Sequence, residues 1–495
     1  MVSWRESLSG FLSVPKSEVW RSLFKKKMMI AGIVLLILNV FTAAFAPYLA
    51  WHDPIRDMQV ADDYALPAWM AIFPHARELP RNILKEIKYK DWIFMSTGGL
   101  ANHLTTLAHS ENFTISYRRM GLQASGEAQV IMKYRFEYPY TPPKTFAVYI
   151  PINITFTGLE SVQYRLAVLL KGEGRDKPYT LHDSYPPWRS TNFIRWGEKP
   201  LTLHSRDIKV AASMGINPLY ENPAEVVFNK RGLYELIITL YLRDRGDSDK
   251  LGKLEATFGI ISLKIPGLLY GMLGTNMLGA DIFSQLIYGA RISLMIGVSA
   301  AILIVALGLL VGIIAGYFGG FIDQMLMFNT DLLMQIPNLP IILMVMLVFG
   351  RNIYIIVFII ALLSWMGVAR QLRAWTLSLK EAAYVEASRA AGATDFYIIF
   401  KVVAPQLVPI IAYFLAMTVP FAVFLEAGLS LLGFGDPFFP SWGKMLNEAY
   451  YFGGFSKLAW WWIAPPITAI LILALSFVLI GYSLEEVFHP RLRRR

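Results

Sequence analysis

Residues 386–405 read EASRAAGATDFYIIFKVVAP, a stretch rich in small residues between two long apolar runs. It carries Glu386, Arg389 and Asp395 and is interrupted by Gly392. Residues 380–391 are good helix formers. Gly392 is a natural stop, because glycine accepts the positive φ that ends many helices. Thr394 or Asp395 can then cap a second helix, which opens with Phe396 and Tyr397 and enters the membrane near Pro405. The pattern predicts a helical elbow outside the lipid, with Ala387, Ser388, Ala390 and Ala391 as a small-residue surface for close docking. A helix lying on the lipid headgroups, with Glu386 and Arg389 as a local pair, fits the periodicity equally well.

The surrounding composition explains why such a segment stands out. Of 495 residues, 55% are hydrophobic, and the mean hydropathy is +0.44, which is too apolar for an ordinary soluble chain of this size. The charges are unevenly spread. Residues 52–291 hold 28 Lys/Arg and 24 Asp/Glu of the chain's 82 charged residues. Two bodies follow: a membrane bundle and a polar domain inserted into it. The net charge of +10 is read as membrane topology, and no nucleic-acid partner is expected. With no cysteine, disulfides, thiolate metal sites and thiol catalysis are excluded.

A bilayer core of ~30 Å takes roughly 20 apolar residues in a helix. Six segments meet that length: 28–50, 292–317, 325–349, 353–374, 406–432 and 459–483. The first has a rival reading as a signal peptide, because Ala44-Phe45-Ala46 resembles a cleavage site. The long basic leader and Pro47 speak against it. Lys/Arg in short flanks sets orientation. With both termini cytoplasmic, the inner flanks hold 15 such residues and the short outer loops hold 3, namely Arg351, Lys444 and Lys457. Residues 51–291 are then extracytoplasmic, and the elbow is cytoplasmic. The expected fold class is an all-α polytopic membrane protein of six transmembrane helices, with a large mainly β domain between helices 1 and 2. Its parts are a basic leader 1–27, helix 1 at 28–50, the β-rich insertion 51–265, an amphipathic outer segment 266–291, a membrane core 292–483 with the elbow near 380–400, and a basic tail 484–495.

The insertion shows strand signals in AQVIMKYRFEYPY, TFAVYIPINITFTG, VQYRLAVLLKG, LYELIITLYLRD and KLEATFGIISLKI, separated by Gly- and Pro-containing turns. An antiparallel sandwich or barrel is expected, preceded by a less regular part near 52–110. Tyr185, Trp188 and Trp196 could line a cleft, although core and loop packing accounts for them as well.

Polar residues inside spans are candidates for function, because burying them in lipid is costly. Asp331 and Glu426 are the translocation-path candidates. Asn329 and Asn338 read as helix-to-helix hydrogen bonds. Gly308, Gly312 and Gly316, at four-residue spacing, mark a close-packing face suited to a partner subunit. The chain has no G-x-x-x-x-G-K-[ST] phosphate loop, no H-E-x-x-H, no G-x-S-x-G and no clustered metal ligands. An enzyme is not indicated; no cofactor is expected, and any ATP must be bound elsewhere.

Residues 386–405 also resemble the cytoplasmic EAA signature of binding-protein-dependent ABC importer permeases. Glu386, Ala387, Gly392 and Pro405 fall at the matching places, with Ser388, Val402 and Ala404 as mild departures. The segments LGTNMLGADIFSQLIYGARISL (273–294), EAGLSLLGFG (426–435), PSWGKML (440–446) and HPRLRRR (489–495) extend the likeness over 268–495. They resemble the C-type permease of the dipeptide/oligopeptide importer family. Residues 52–265 have no counterpart, and Gly279-Ala280-Asp281 replaces the usual Gly-Arg-Asp.

The resemblance implies that the elbow is a coupling helix docking on an ATPase subunit, with Glu386, Ala387, Ser388, Arg389, Gly392 and Asp395 as the ATPase-coupling residues. It further implies a second, B-type permease, two ATPase subunits or domains, an extracytoplasmic solute-binding protein, and a cell-membrane location in contact with lipid. The solute would be a peptide or, with the same mechanism, an oligosaccharide. The insertion would dock or guide the binding protein. A membrane-anchored receptor without transport, or a tethered extracytoplasmic enzyme, would leave the elbow unexplained.

Overall fold

The computed structural model describes residues 26–108, 111–119, 125–157, 162–184, 189–190, 200–246 and 252–488. Most of the basic leader (Arg5, Lys16, Arg21, Lys25), the arginines of the tail and the aromatic residues Tyr185, Trp188 and Trp196 lie outside them. The chain divides into two compact units. One is residues 1–58 with 281–495, and the other is residues 59–280.

The second unit is mainly β. Its strands alternate inward and outward residues, as a sheet with one buried face requires. In Gly232–Asp244, Tyr234, Leu236, Ile238, Leu240 and Leu242 are all buried. This strand is central to an antiparallel sheet ordered Tyr179–Asp183, Val162–Lys171, Gly232–Asp244, Gly126–Tyr138, Ile93–Gly98. A second sheet runs Leu201–His204, Ala147–Ile150, Ile261–Ile265, Ile83–Ile87. A third runs Leu104–Ala108, Phe113–Arg119, Gly252–Phe258, Ile152–Thr157. Their inward faces share one core, including Phe113, Tyr117, Met132, Tyr138, Val148 and Phe258.

Two of the expected strands each divide in two. Pro151 has no amide hydrogen for a ladder, and Gly259-Ile260 interrupts its neighbour. Both chains change sheets there, and the Gly259 amide donates to the Pro151 carbonyl at 2.8 Å. The region near 52–110, expected to be less regular, contributes four strands: the short Leu66–Pro67, paired with Leu269–Tyr270, and Ile83–Ile87, Ile93–Gly98 and Leu104–Ala108. Ile83–Ile87 and Ile93–Gly98 pair with strands far along the chain, Ile261–Ile265 and Gly126–Tyr138, which their local sequence does not show, whereas Leu104–Ala108 pairs with the nearby Phe113–Arg119.

The first unit is helical. Among its described residues, four helices are long and apolar enough to cross a bilayer. They are Lys27–Ala44, Ile282–Phe318, Asp395–Phe434 and the helix starting at Trp460. Two bent pairs raise the number to as many as six. The expected spans 325–349 and 353–374 are therefore not straight helices. Gly320–Gln335 and Asn338–Phe349 meet at 80°, and Ile353–Ser364 and Met366–Lys380 meet at 46°. Pro337 forces the first break, since Ile336 before it is extended. At the second, the Asn338 side chain donates to the Leu363 carbonyl at 3.0 Å, an insertion of the kind that bends helices.

The second long helix starts at Ile282, well before the expected 292, so 266–291 is not a single element. Asp281 caps it, accepting from the Ser284 amide at 3.0 Å. The glycine face also has a different partner from the one expected. A Cβ at Gly312 would sit 2.7 Å from the Ala369 carbonyl oxygen, and one at Gly316 would sit 2.7 Å from Thr376 Cβ. Gly308, Gly312 and Gly316 thus receive helix Met366–Lys380 of the same chain, not a second permease. Four-residue spacing encodes a close approach but not which helix makes it.

Candidate functional site

The elbow is built from the residues that predicted it. Helix Ala383–Ala390 ends at Ala391 and Gly392, with Gly392 at φ +79°. The Gly392 amide donates to the Arg389 carbonyl at 3.0 Å and the Ala393 amide to the Ser388 carbonyl at 3.1 Å. This pair of bonds is a Schellman cap, which satisfies carbonyls that the helix leaves free. Nothing lies within 4 Å of a Cβ placed on Gly392, so the backbone angle alone demands glycine there. Thr394 caps the next turn, accepting from the Tyr397 amide at 3.3 Å. The chain then passes through Asp395–Tyr397 and a widened π-type stretch, Ile398–Val403, into Ala404–Leu429.

Val385, Ile398 and Ile399 are buried and seat the elbow on the helical unit. Glu386, Ala387, Arg389, Ala390, Ala391 and Gly392 face outward, and Ser388 is half-buried. Glu386 and Arg389 form no ion pair of 4.0 Å or less among the described residues. Arg389 instead lies over the ring of Tyr317, 5.9 Å from its centroid. Phe396, Tyr397 and Phe400 are exposed beside the elbow, and the Phe396 and Phe400 rings are 4.5 Å apart. The site is an outward-facing ledge of small residues with one acid and one base, on a firmly packed stem.

The two path candidates do not join this ledge or each other. Asp331 pairs with Arg370, with about half of each side chain exposed. Asp323 makes a second pair with Arg373 through two hydrogen bonds. These pairs link Gly320–Gln335 to Met366–Lys380. Glu426 is 2% exposed. Its Oε1 accepts from Ser430 Oγ at 2.6 Å and Ser441 Oγ at 2.8 Å. Ser441 also caps helix Trp442–Tyr451 by accepting from the Lys444 amide. The neighbouring Trp442 indole donates to the Leu286 carbonyl at 2.9 Å, across Gly289. Glu426 thus ties two helices together, as an intramembrane acid with internal partners can. Asn329 bonds within its own helix, to the Met325 carbonyl.

Comparison with known proteins bears on what such a ledge does. Residues 308–494 match the family of binding-protein-dependent transport system inner membrane components, and residues 15–67 match the N-terminal TM domain of oligopeptide transport permease C. The chain is 36% identical over 225 residues to the dipeptide transport system permease protein DppC of Bacillus subtilis, covering 45% of this chain and 69% of that protein. The chain belongs to the C-type permeases of the peptide ABC importer family. The permease is also 35% identical over 224 residues to the oligopeptide transport system permease protein OppC of B. subtilis, covering 45% of this chain and 72% of that one. The glutathione transport system permease protein GsiD of Pectobacterium atrosepticum is 35% identical over 227 residues, covering 45% of this chain and 73% of its own. The permease is thus a multi-pass membrane subunit of an importer, and its family works with ATPase subunits and a solute-binding protein.

Four contacts are not legible in the sequence. Tyr317, 2% exposed at the end of Ile282–Phe318, donates to Asp395 Oδ1 at 2.6 Å. Arg370 and Arg373, two of the 15 inner-flank cations, both hold aspartates. Ser441, within PSWGKML, donates to Glu426. Its place, directly before a Trp-led helix, is the one available signal, since serine is a preferred cap there.

Proposed function

We propose that this permease forms one half of the translocation path of an ABC importer and is driven through the ledge at Glu386, Ala387, Ser388, Arg389, Gly392 and Asp395. In this reading six spans cross the membrane, with each bent pair counted as one. Both termini and the ledge are cytoplasmic, and residues 59–280 lie outside. A B-type permease completes the path, two ATPase subunits or domains bind and hydrolyse ATP, and an external binding protein delivers the solute. The permease itself needs no cofactor. The dipeptide, oligopeptide and glutathione transport proteins it is similar to support a peptide or related small solute.

One observation carries the reading. The Schellman-capped helix Ala383–Ala390 presents Glu386 and a small-residue face outward, while Val385 and Ile398 lock its other side to the bundle. A nucleotide-driven partner can approach such a face closely, and a displacement of it cannot be absorbed by a loose loop.

Because the chain has no cysteine, Ala391→Cys supplies a single thiol. In the full transporter it should react with a membrane-impermeant maleimide only from the cytoplasmic side, and it should cross-link to the ATPase. Labelling from outside alone would overturn the orientation and the coupling role together.

A further inference from the structure

Tyr317 stands where three successive pieces of the elbow region converge. Its hydroxyl bonds Asp395 Oδ1 at 2.6 Å, at the start of the second arm. The Arg389 guanidinium, in the last turn of Ala383–Ala390, is 5.9 Å from its ring centroid. The Lys380 ammonium, at the end of Met366–Lys380, is 5.8 Å from the same centroid. Cations over an aromatic face are attracted by its quadrupole, and a phenol donating to a carboxylate makes a charge-assisted bond. The ring is almost wholly buried. Immediately after it the helix ends at Gly319, at φ +68°. Above it, Gly312 and Gly316 press the same helix against Met366–Lys380. Stem, ledge and second arm are therefore all referred to one side chain on a fourth element, helix Ile282–Phe318.

We infer that Tyr317 is a positioning residue for coupling: its hydroxyl, held by Asp395, fixes the angle of the elbow and passes the elbow's displacement to helix Ile282–Phe318. This rests on the coupling role proposed above. Without the hydroxyl, Asp395 loses this bond, and the second arm can rotate about Gly392 while the buried Val385 and Ile398 keep the elbow folded. A motor stroke would then move the ledge without moving the long helix by the same amount. The expected defect is slippage: ATP is consumed, and less solute is moved for each one.

The experiment uses the complete transporter in vesicles and reads solute moved per ATP hydrolysed, together with retention of the ATPase. Tyr317→Phe should keep the ATPase bound and lower the ratio about fivefold, the scale of one lost hydrogen bond. Asp395→Ala should give a similar loss, and the double variant should be little worse, because both remove the same hydroxyl–carboxylate bond. Asp395→Asn keeps an acceptor oxygen and should recover at least half of the ratio that Asp395→Ala loses, which a purely structural role of the carboxylate would not predict. A Tyr317→Phe ratio within about twofold of the parent, or additive losses in the double variant, would overturn the inference. If Tyr317→Phe fails to assemble, the comparison of Asp395→Asn with Asp395→Ala decides alone, and equal losses in the two overturn it. Cross-linking of Ala391→Cys to the ATPase separates the two claims. A cross-link with an unchanged ratio sinks only the role of Tyr317, whereas no cross-link sinks the coupling role itself.

Discussion

In the β-rich unit, Arg119 and Asp244 form an ion pair with side chains 2% and 0% exposed, and the Tyr117 hydroxyl adds a bond to the same carboxylate at 2.8 Å. In the helical unit, Arg370 and Asp331 make the same chemical pair with 52% and 54% of their side chains exposed. The difference lies in what surrounds them. A desolvated pair is held by the cost of separating its members, and removing one strands a charge. An exposed pair is screened and contributes little net stability. Identical partners thus act as a keystone in one unit and as a loose tie in the other.

The sharpest way to break this comparison is Asp244→Ala. It leaves the Arg119 charge buried and the Tyr117 hydroxyl without its carboxylate, and should cost about 3–5 kcal/mol. Limited proteolysis of the β-rich unit in the full chain, over rising urea, would read it. The double replacement Arg119→Met with Asp244→Leu should recover much of the loss, because no lone charge remains. A single variant as stable as the parent would show that the core admits water.

A smaller effect comes from Asp62, whose carboxyl burial pushes up to about 6, with the neighbouring Asp63 adding to the rise. Lys144 and Arg206, together with the Asp62 side chain, hold Asp63 below the usual range despite burial. The native Asp62 therefore keeps its proton where the unfolded chain, with an ordinary value of about 3.9, has lost it. The folded state binds more protons between these limits. Stability of this unit should fall as the pH rises from about 4 to about 6 and then level off. Asp62→Asn should flatten that slope in thermal unfolding followed across pH. The Asp244 carboxyl, held low by Arg119 against the effect of burial, has the opposite sign: its contribution is lost only as pH falls through the acid range. A slope unchanged in Asp62→Asn would place the responsible group elsewhere.

The smallest effect should be Arg370→Ala. With both partners half exposed, its loss should shift stability by less than about 1 kcal/mol, read as the thermal midpoint in detergent. A loss as large as that of Asp244→Ala would mean that the pair is sealed from water in the membrane, and the contrast between the units would fail.

The parts of the fold that follow local rules were legible in the sequence. Gly392, Thr394 and the outward small residues specify the elbow through the backbone angle, the cap and the helix period, all within a few positions. The strands around Val130, Leu166 and Leu236 announce themselves by alternation. What was hidden depends on partners far along the chain. Gly308, Gly312 and Gly316 advertise a close contact, but nothing nearby says that Met366–Lys380 fills it. Tyr317 looks like one more aromatic at a helix end until Asp395 is brought to it. The bend at Trp365 has no proline, and the Asn338 side chain that bonds the Leu363 carbonyl there comes from a helix well before it in the chain. The apolar residues around Asp331 suggest a straight span, and only the structure shows the break at Pro337 and the pairing of Asp331 with Arg370.

Helix Ile282–Phe318, at 37 residues, is about 55 Å long at ~1.5 Å per residue, while the hydrocarbon it crosses is only ~30 Å thick. At the far end from Tyr317, the Ser284 hydroxyl receives the main-chain amides of Trp51 and His52, each at 3.1 Å. These residues directly follow the first membrane helix and its short extension Ala46–Leu49. One stiff rod therefore has a handle at each end. The phenol and the exit of the first helix are thus joined by a single unbroken ladder of helical hydrogen bonds.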